Sequence, residues 1–145
     1  MPKDVKDVAC DLALGPVNRA AGCSWLEAAV HTGSPILAMA PMVGQSDYPF
    51  RKLVRLHGAT LCYTEMWMAN QFHSSERYRI QALGKRGVRD DDHPLIVQLA
   101  ANNPDDFAKA ALAAQNLGAD GVDLNLGCPQ RRVSQYRLSC NPTFC

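Results

Sequence analysis

The stretch PLIVQLAANNPDDFAKAALAAQNLGADGVDLNL, residues 94–126, decides the fold. Pro94 to Ala100 is apolar apart from Gln98, as expected of a strand buried on both faces. Asn103 then offers an N-cap oxygen. Phe107, Ala110, Ala111 and Ala114 recur at helical spacing from Pro104 to Leu117, and Gly118 closes the helix. Val122 to Leu126 is a further short strand. A strand, a helix and a strand joined this closely make a parallel unit.

The same alternation extends toward the N-terminus. ILAMA, residues 36–40, is a continuous apolar run ended by Pro41 and predicts a strand buried on both faces. Ser46 and Asp47 offer cap oxygens, Pro49 suits a first turn, and Phe50, Leu53, Val54 and Leu56 mark the apolar positions of a helix ending at Gly58. LCYT, residues 61–64, is the second strand. The pattern predicts an α/β fold with about four parallel strands, which suits either a doubly wound sheet or an eight-stranded barrel. No G-x-G-x-x-G and no G-x-x-x-x-G-K-S/T follows a strand, which tilts the choice toward the barrel. The segment from Trp67 to Arg79 is aromatic and polar without a decisive period, and Gly84 to His93 reads as a solvent-facing loop.

At 145 residues the chain is long enough to bury a core. A formal net charge of +1 gives no global pull toward nucleic acid or membrane, so an RNA partner would be held by local basic patches. Cys10, Cys23, Cys62, Cys128, Cys140 and Cys145 form no C-x-x-C pair and no zinc-ligand rhythm, so reduced thiols and no metal site are expected. The first residues lack the pattern of a signal peptide, and no apolar run approaches the roughly 18 residues of a bilayer span. The expectation is a chain without a membrane partner, in the cytoplasm or the nucleus. Three segments are read: residues 1–34, Ala-rich, with a short helix over Ser24–Val30 opened by a Ser24-x-x-Glu27 capping box; residues 35–130, the barrel-like part; and residues 131–145, a divergent tail.

In a β/α barrel the functional groups gather at the carboxyl ends of the strands. Pro41 and Met42 end strand one, Glu65 ends strand two, Gln98 lies late in strand three, and Asn125 and Cys128 end strand four. From the residues alone, Gln98 reads equally as a core amide satisfied by neighbouring backbone, and Asp123 and Asn125 as polar residues facing a packed interior. Cys128, between Gly127 and Pro129, stands where the strand must stop. With an ordinary thiol pKa near 8.5 it would keep its proton at neutral pH and serve as an acid as readily as a nucleophile, or else be an inert half-buried cysteine.

DLNLGCPQ at residues 123–130 resembles the signature of the tRNA-dihydrouridine synthases, APMV at 40–43 resembles their first strand, and IVQL at 96–99 their third. LCYTEM at 61–66 is similar to the eukaryotic branch acting on the tRNA D-loop, of the 16/17 type. The resemblance covers about Pro35 to Gln130 and implies the first half of a flavin-binding (β/α)8 barrel. It also implies an activity, the reduction of the uridine C5–C6 double bond in tRNA with NADPH as reductant and FMN as cofactor. On this resemblance Cys128 is the catalytic acid at C5. Pro41, Met42 and Val43 lay backbone against the isoalloxazine ring, Gln98 pairs with its pyrimidine edge, and Asn125 orients the target base, which must be unstacked to enter.

Past Val133 the sequence departs from that pattern and reads SQYRLSCNPTFC. A full barrel takes about 250 residues, so the expectation is an incomplete barrel, weak or no flavin binding, no turnover, and a tail from a shifted frame or alternative splice. Two other readings stay open: a noncatalytic interaction or isoform fragment, and another flavin-dependent barrel reductase.

Overall fold

The computed structural model describes Gly33 and residues 35–127. In chain order the elements are β1 (Ala38–Met39), α1 (Tyr48–Leu56), β2 (Leu61–Tyr63), β3 (Trp67–Met68), α2 (Ala69–Ser74), α3 (Glu76–Leu83), β4 (Leu95–Ala100), α4 (Pro104–Asn116) and β5 (Gly121–Leu124). The helix starts are chemically explicit. The Asp47 carboxylate accepts the Phe50 N–H at 3.0 Å, and Asn103 Oδ1 accepts the Asp105 N–H at 2.8 Å, each with proline in the first turn, where a missing N–H costs nothing.

All strand pairings are parallel: β1 with β2, β2 with β4, β3 with β4, and β4 with β5. β2 and β3 lie on one edge of β4 and β5 on the other, because Ile96 pairs with both Tyr63 and Gly121, and Leu99 with both Trp67 and Leu124. β2 and β3 are therefore one interrupted strand. Tyr63 to Trp67 is four steps where Ile96 to Leu99 is three, so one extra residue is accommodated between them, as in a bulge. Each strand along the chain thus adds to the same side of its predecessor. A doubly wound sheet would reverse direction at a switch point. The winding is that of the opening half of a (β/α)8 barrel.

β4 is the centre of the core. Leu95, Val97 and Leu99 have no exposure, and neither do Phe72 of α2 or Ala110 and Ala114 of α4. The two alanines let α4 approach closely, while each buried Leu, Val or Phe contributes roughly 1.5–3 kcal/mol. His73 joins the helices α2 and α4 through a 2.9 Å contact between its Nε2 and Asp106 Oδ1.

Several expectations need correction. The first strand is two residues long, not Ile36–Ala40, and it is not buried on both faces: Leu37 is 54% exposed and only Met39 is buried. Among the described residues it has a sheet partner on one side only, and its other face, with Leu37, is left uncovered. On α1, Leu53 and Leu56 are exposed while Arg51 is 4% exposed, so a charged residue occupies the buried face. The segment Gly84–His93 is not wholly solvent-facing, since Asp92 is 1% exposed. Residues 67–79, undecided from sequence, form β3, α2 and the start of α3. The helix predicted over Ser24–Val30 lies outside the described residues.

The loop before β4 is pinned to the end of α4 by the Val88 N–H, which donates to the Leu117 carbonyl at 2.8 Å. Gly87 stands beside that contact at φ +81, and a Cβ there would lie 2.3 Å from the same carbonyl oxygen. Gly84 has a similar φ of +83 but open space around it. We expect Gly87→Ala to lower the urea midpoint by more than Gly84→Ala, the strain of the left-handed backbone costing on the order of 1–3 kcal/mol in each and the steric clash adding only to the first. Equal losses in the two variants would contradict the close approach.

Candidate functional site

The carboxyl ends of the strands are joined by one hydrogen-bonded path. After β1 the chain turns back on itself: the Met42 N–H donates to Ser46 Oγ at 2.8 Å, Ser46 Oγ donates to the Ala40 carbonyl at 3.3 Å, and the Ser46 N–H donates to the Met42 carbonyl at 2.9 Å. The Glu65 carboxylate, from the interruption between β2 and β3, accepts the Gly44 N–H at 2.6 Å. Thr64 Oγ1 donates to the Glu65 carbonyl at 2.8 Å and accepts the Gln98 N–H at 3.1 Å. Gln98 Nε2 then donates to Asp123 Oδ2 at 2.7 Å, and Gln98 Oε1 accepts from Asn125 Nδ2 at 3.2 Å. The path runs from the β1 loop through the interrupted strand and β4 to β5.

This geometry places the residues singled out from sequence. Pro41 and Met42 are half-buried and Val43 is 62% exposed, so the tip of the loop presents an apolar, open surface. Gln98 is 7% exposed, and its amide is satisfied by the side chains of Asp123 and Asn125, not by the neighbouring backbone. Asn125 also accepts the Gly127 N–H on Oδ1 at 3.0 Å, holding the chain as it leaves β5. Cys128 lies outside the described residues. The loop, Gln98 and Asn125 are thus brought to one end of the sheet. Amides that present both donors and acceptors beside an apolar surface suit the polar edge and flat face of a flavin ring, and FMN fits the chemistry of the residues present.

Sequence reasoning missed a buried charge cluster next to this loop. Arg51 donates to Asp92 Oδ2 through Nε at 2.9 Å and Nη2 at 2.6 Å, and through Nη1 to the Ser46 carbonyl at 2.7 Å. Arg55 adds contacts to Asp92 Oδ1 at 3.4 Å and to the Pro94 carbonyl at 2.7 Å. The available signal was the i, i+4 spacing of Arg51 and Arg55, which puts two guanidiniums on one face of α1. At the surface, Lys52 and Tyr48 contact Asp91, and the Lys52 hydrogen bond holds that exposed carboxyl below its ordinary range. A cavity of about 200 Å³ opens between Arg51, Glu65, Trp67, Leu83 and Asp92. It borders the loop but touches neither Gln98 nor Asn125. Among the described residues no group of His, Cys, Asp and Glu could hold a metal ion, and no helix is long and apolar enough to cross a membrane.

Comparison with known proteins gives a consistent result. Residues 38–140 match the family model described as dihydrouridine synthase (Dus), ten residues beyond the stretch on which the resemblance was read. A rat protein named tRNA-dihydrouridine(16/17) synthase (NAD(P)(+))-like is 51% identical over 99 residues, covering 68% of this chain and 22% of the relative. The tRNA-dihydrouridine(16/17) synthase of Schizosaccharomyces pombe is 44% identical over 98 residues, 68% of this chain and 24% of the relative. A mouse tRNA-dihydrouridine(20a/20b) synthase-like protein is 42% identical over 101 residues, 70% of this chain and 30% of the relative. The chain therefore spans less than a third of the length of these relatives.

Cys62 has no exposure and belongs to the buried core, paired with Leu95 at the entry of β4. Burial pushes its thiol up from the ordinary value, against the pull of the Arg55 guanidinium. The thiolate is the reactive form, so the raised value moves Cys62 reactivity to higher pH than that of a free thiol. We expect mass-mapped alkylation at neutral pH to label Cys62 far more slowly in the folded chain than in denaturant. Equal labelling in both states would contradict its enclosure.

Proposed function

The chain belongs to the dihydrouridine synthase family, and on that premise we propose that residues 35–130 supply the opening half of the active site of an FMN-dependent tRNA-dihydrouridine synthase of the 16/17 type. The observation that carries this reading is the continuous path from Gly44 through Glu65, Thr64 and Gln98 to Asn125. It holds an apolar loop and two side-chain amides in fixed relation across four neighbouring strand ends. That arrangement supports a flat heteroaromatic cofactor with a polar edge better than it supports a phosphate or a metal.

Bound FMN, reduced by NADPH, would supply hydride to C6 of the uridine. The chain's own residues do the rest. Pro41, Met42 and Val43 offer the surface against which the ring lies. Gln98, clamped between Asp123 and Asn125, presents its amide with little rotamer freedom, so little entropy is lost when it pairs with the ring edge. Asn125 stands one residue beyond β5 and orients the base, which must leave its stack to reach the pocket. Cys128 donates the proton to C5, completing the saturation of the double bond. The substrate is uridine in the D-loop of tRNA, and the reductant is taken from the nicotinamide cofactor in the relatives' names.

Two measurements test the reading. FMN titrated into the 145-residue chain should shift and sharpen the visible flavin band if the loop and Gln98 suffice for contact; an unchanged spectrum argues that this half of the site does not hold the ring. The second uses a chimera in which residues 35–130 replace the matching segment of the Schizosaccharomyces pombe relative. Cys128→Ala should lower dihydrouridine formation in unmodified tRNA by about 100-fold or more, as for loss of a general acid. Full activity in that variant would remove Cys128 from the mechanism.

A further inference from the structure

We propose that the buried Arg51–Asp92 pair is a positioning device for the loop after β1, so that Arg51, Asp92 and Ser46 set the shape of the surface offered to the flavin; the flavin part of this statement rests on the function proposed above. The argument begins with where the charges are. The side chains of Arg51 and Asp92 are 4% and 2% exposed, and a buried ion pair is a weak way to add stability, because desolvation offsets much of the attraction. Its use lies in geometry. The guanidinium is a rigid planar fork. Two of its nitrogens are committed to one Asp92 oxygen, which fixes the plane, and the third then points at the Ser46 carbonyl.

Ser46 is the residue that closes the loop. It is 1% exposed, its hydroxyl accepts the Met42 N–H and donates to the Ala40 carbonyl, and its own N–H donates to the Met42 carbonyl. Arg51 therefore grips the residue whose side chain links Ala40 and Met42. Asp92 is fixed in its turn by Arg55, which also binds the Pro94 carbonyl at the entry to β4. The chain of contacts leads from the entry of the central strand to the backbone of Met42 without a gap.

The test is hydrogen exchange on the full 145-residue chain, comparing the Met42 and Ser46 amides with the Val97 and Leu99 amides of β4. Asp92→Asn keeps the volume but removes the charge that orients Arg51. We expect exchange at Met42 and Ser46 to rise by about tenfold or more, the scale of a lost charge-assisted hydrogen bond, with β4 unchanged. Arg51→Lys is the second variant, for the case in which Asp92→Asn does not fold: it keeps the positive charge beside Asp92, but one ammonium cannot reproduce the fork, and the same loop-selective rise is expected. Loop amides as protected as in the parent chain in a folded variant, or a rise shared equally by β4, would overturn the proposal. FMN affinity is read on the same samples. Loop-selective opening with an unchanged affinity supports the tether and instead sinks the reading that this loop faces the flavin, so the two failures are separate.

Discussion

Strand β4 is paired on both edges and buried over nearly its whole length, and the rest of the structure follows from what that enclosure demands. Apolar residues meet it without difficulty. Gln98 does not, because an amide in that position loses its water and must find partners among its neighbours. It finds Asp123 on β5, Asn125 just beyond it and, for its backbone N–H, the Thr64 hydroxyl on the other side. The same residue that is awkward for packing is therefore the one that ties three strands together toward their carboxyl ends.

The interruption between β2 and β3 serves that arrangement. One extra residue relative to β4 takes Glu65 out of the regular ladder and lets its carboxylate reach Gly44 of the neighbouring loop. A continuous strand would have kept Glu65 paired along β4, with its side chain pointing to a face and not to an adjacent strand end. Irregular backbone here is a means of aiming a side chain. The β1 loop is consequently held from two sides, by Glu65 at its tip and by Ser46 and Arg51 at its base.

Much of this was legible in the chain. The β4–α4–β5 unit appears almost residue for residue, since its apolar run, its Asn103 cap and its alanine face each have a local cause. The strand ends that gather Met42, Gln98 and Asn125 were also foreseen. The first strand was overstated, because an apolar run such as ILAMA signals burial in general and carries no information on whether a second layer covers it. The α1 face was misjudged because helical spacing ranks residues by hydrophobicity, and Arg51 enters the interior only because Asp92, 41 residues later, is there to receive it.

The sequence by itself determined the alternation of strands and helices, the family, and which polar residues stand at strand ends, because periodicity, caps and motifs act over a few residues. Tertiary structure alone decided the sequential winding of the sheet, the one-residue interruption that frees Glu65, and the meeting of Arg51 with Asp92 and Ser46. Those depend on register between distant segments and on the desolvation of paired charges, and neither is written in any single stretch of the chain.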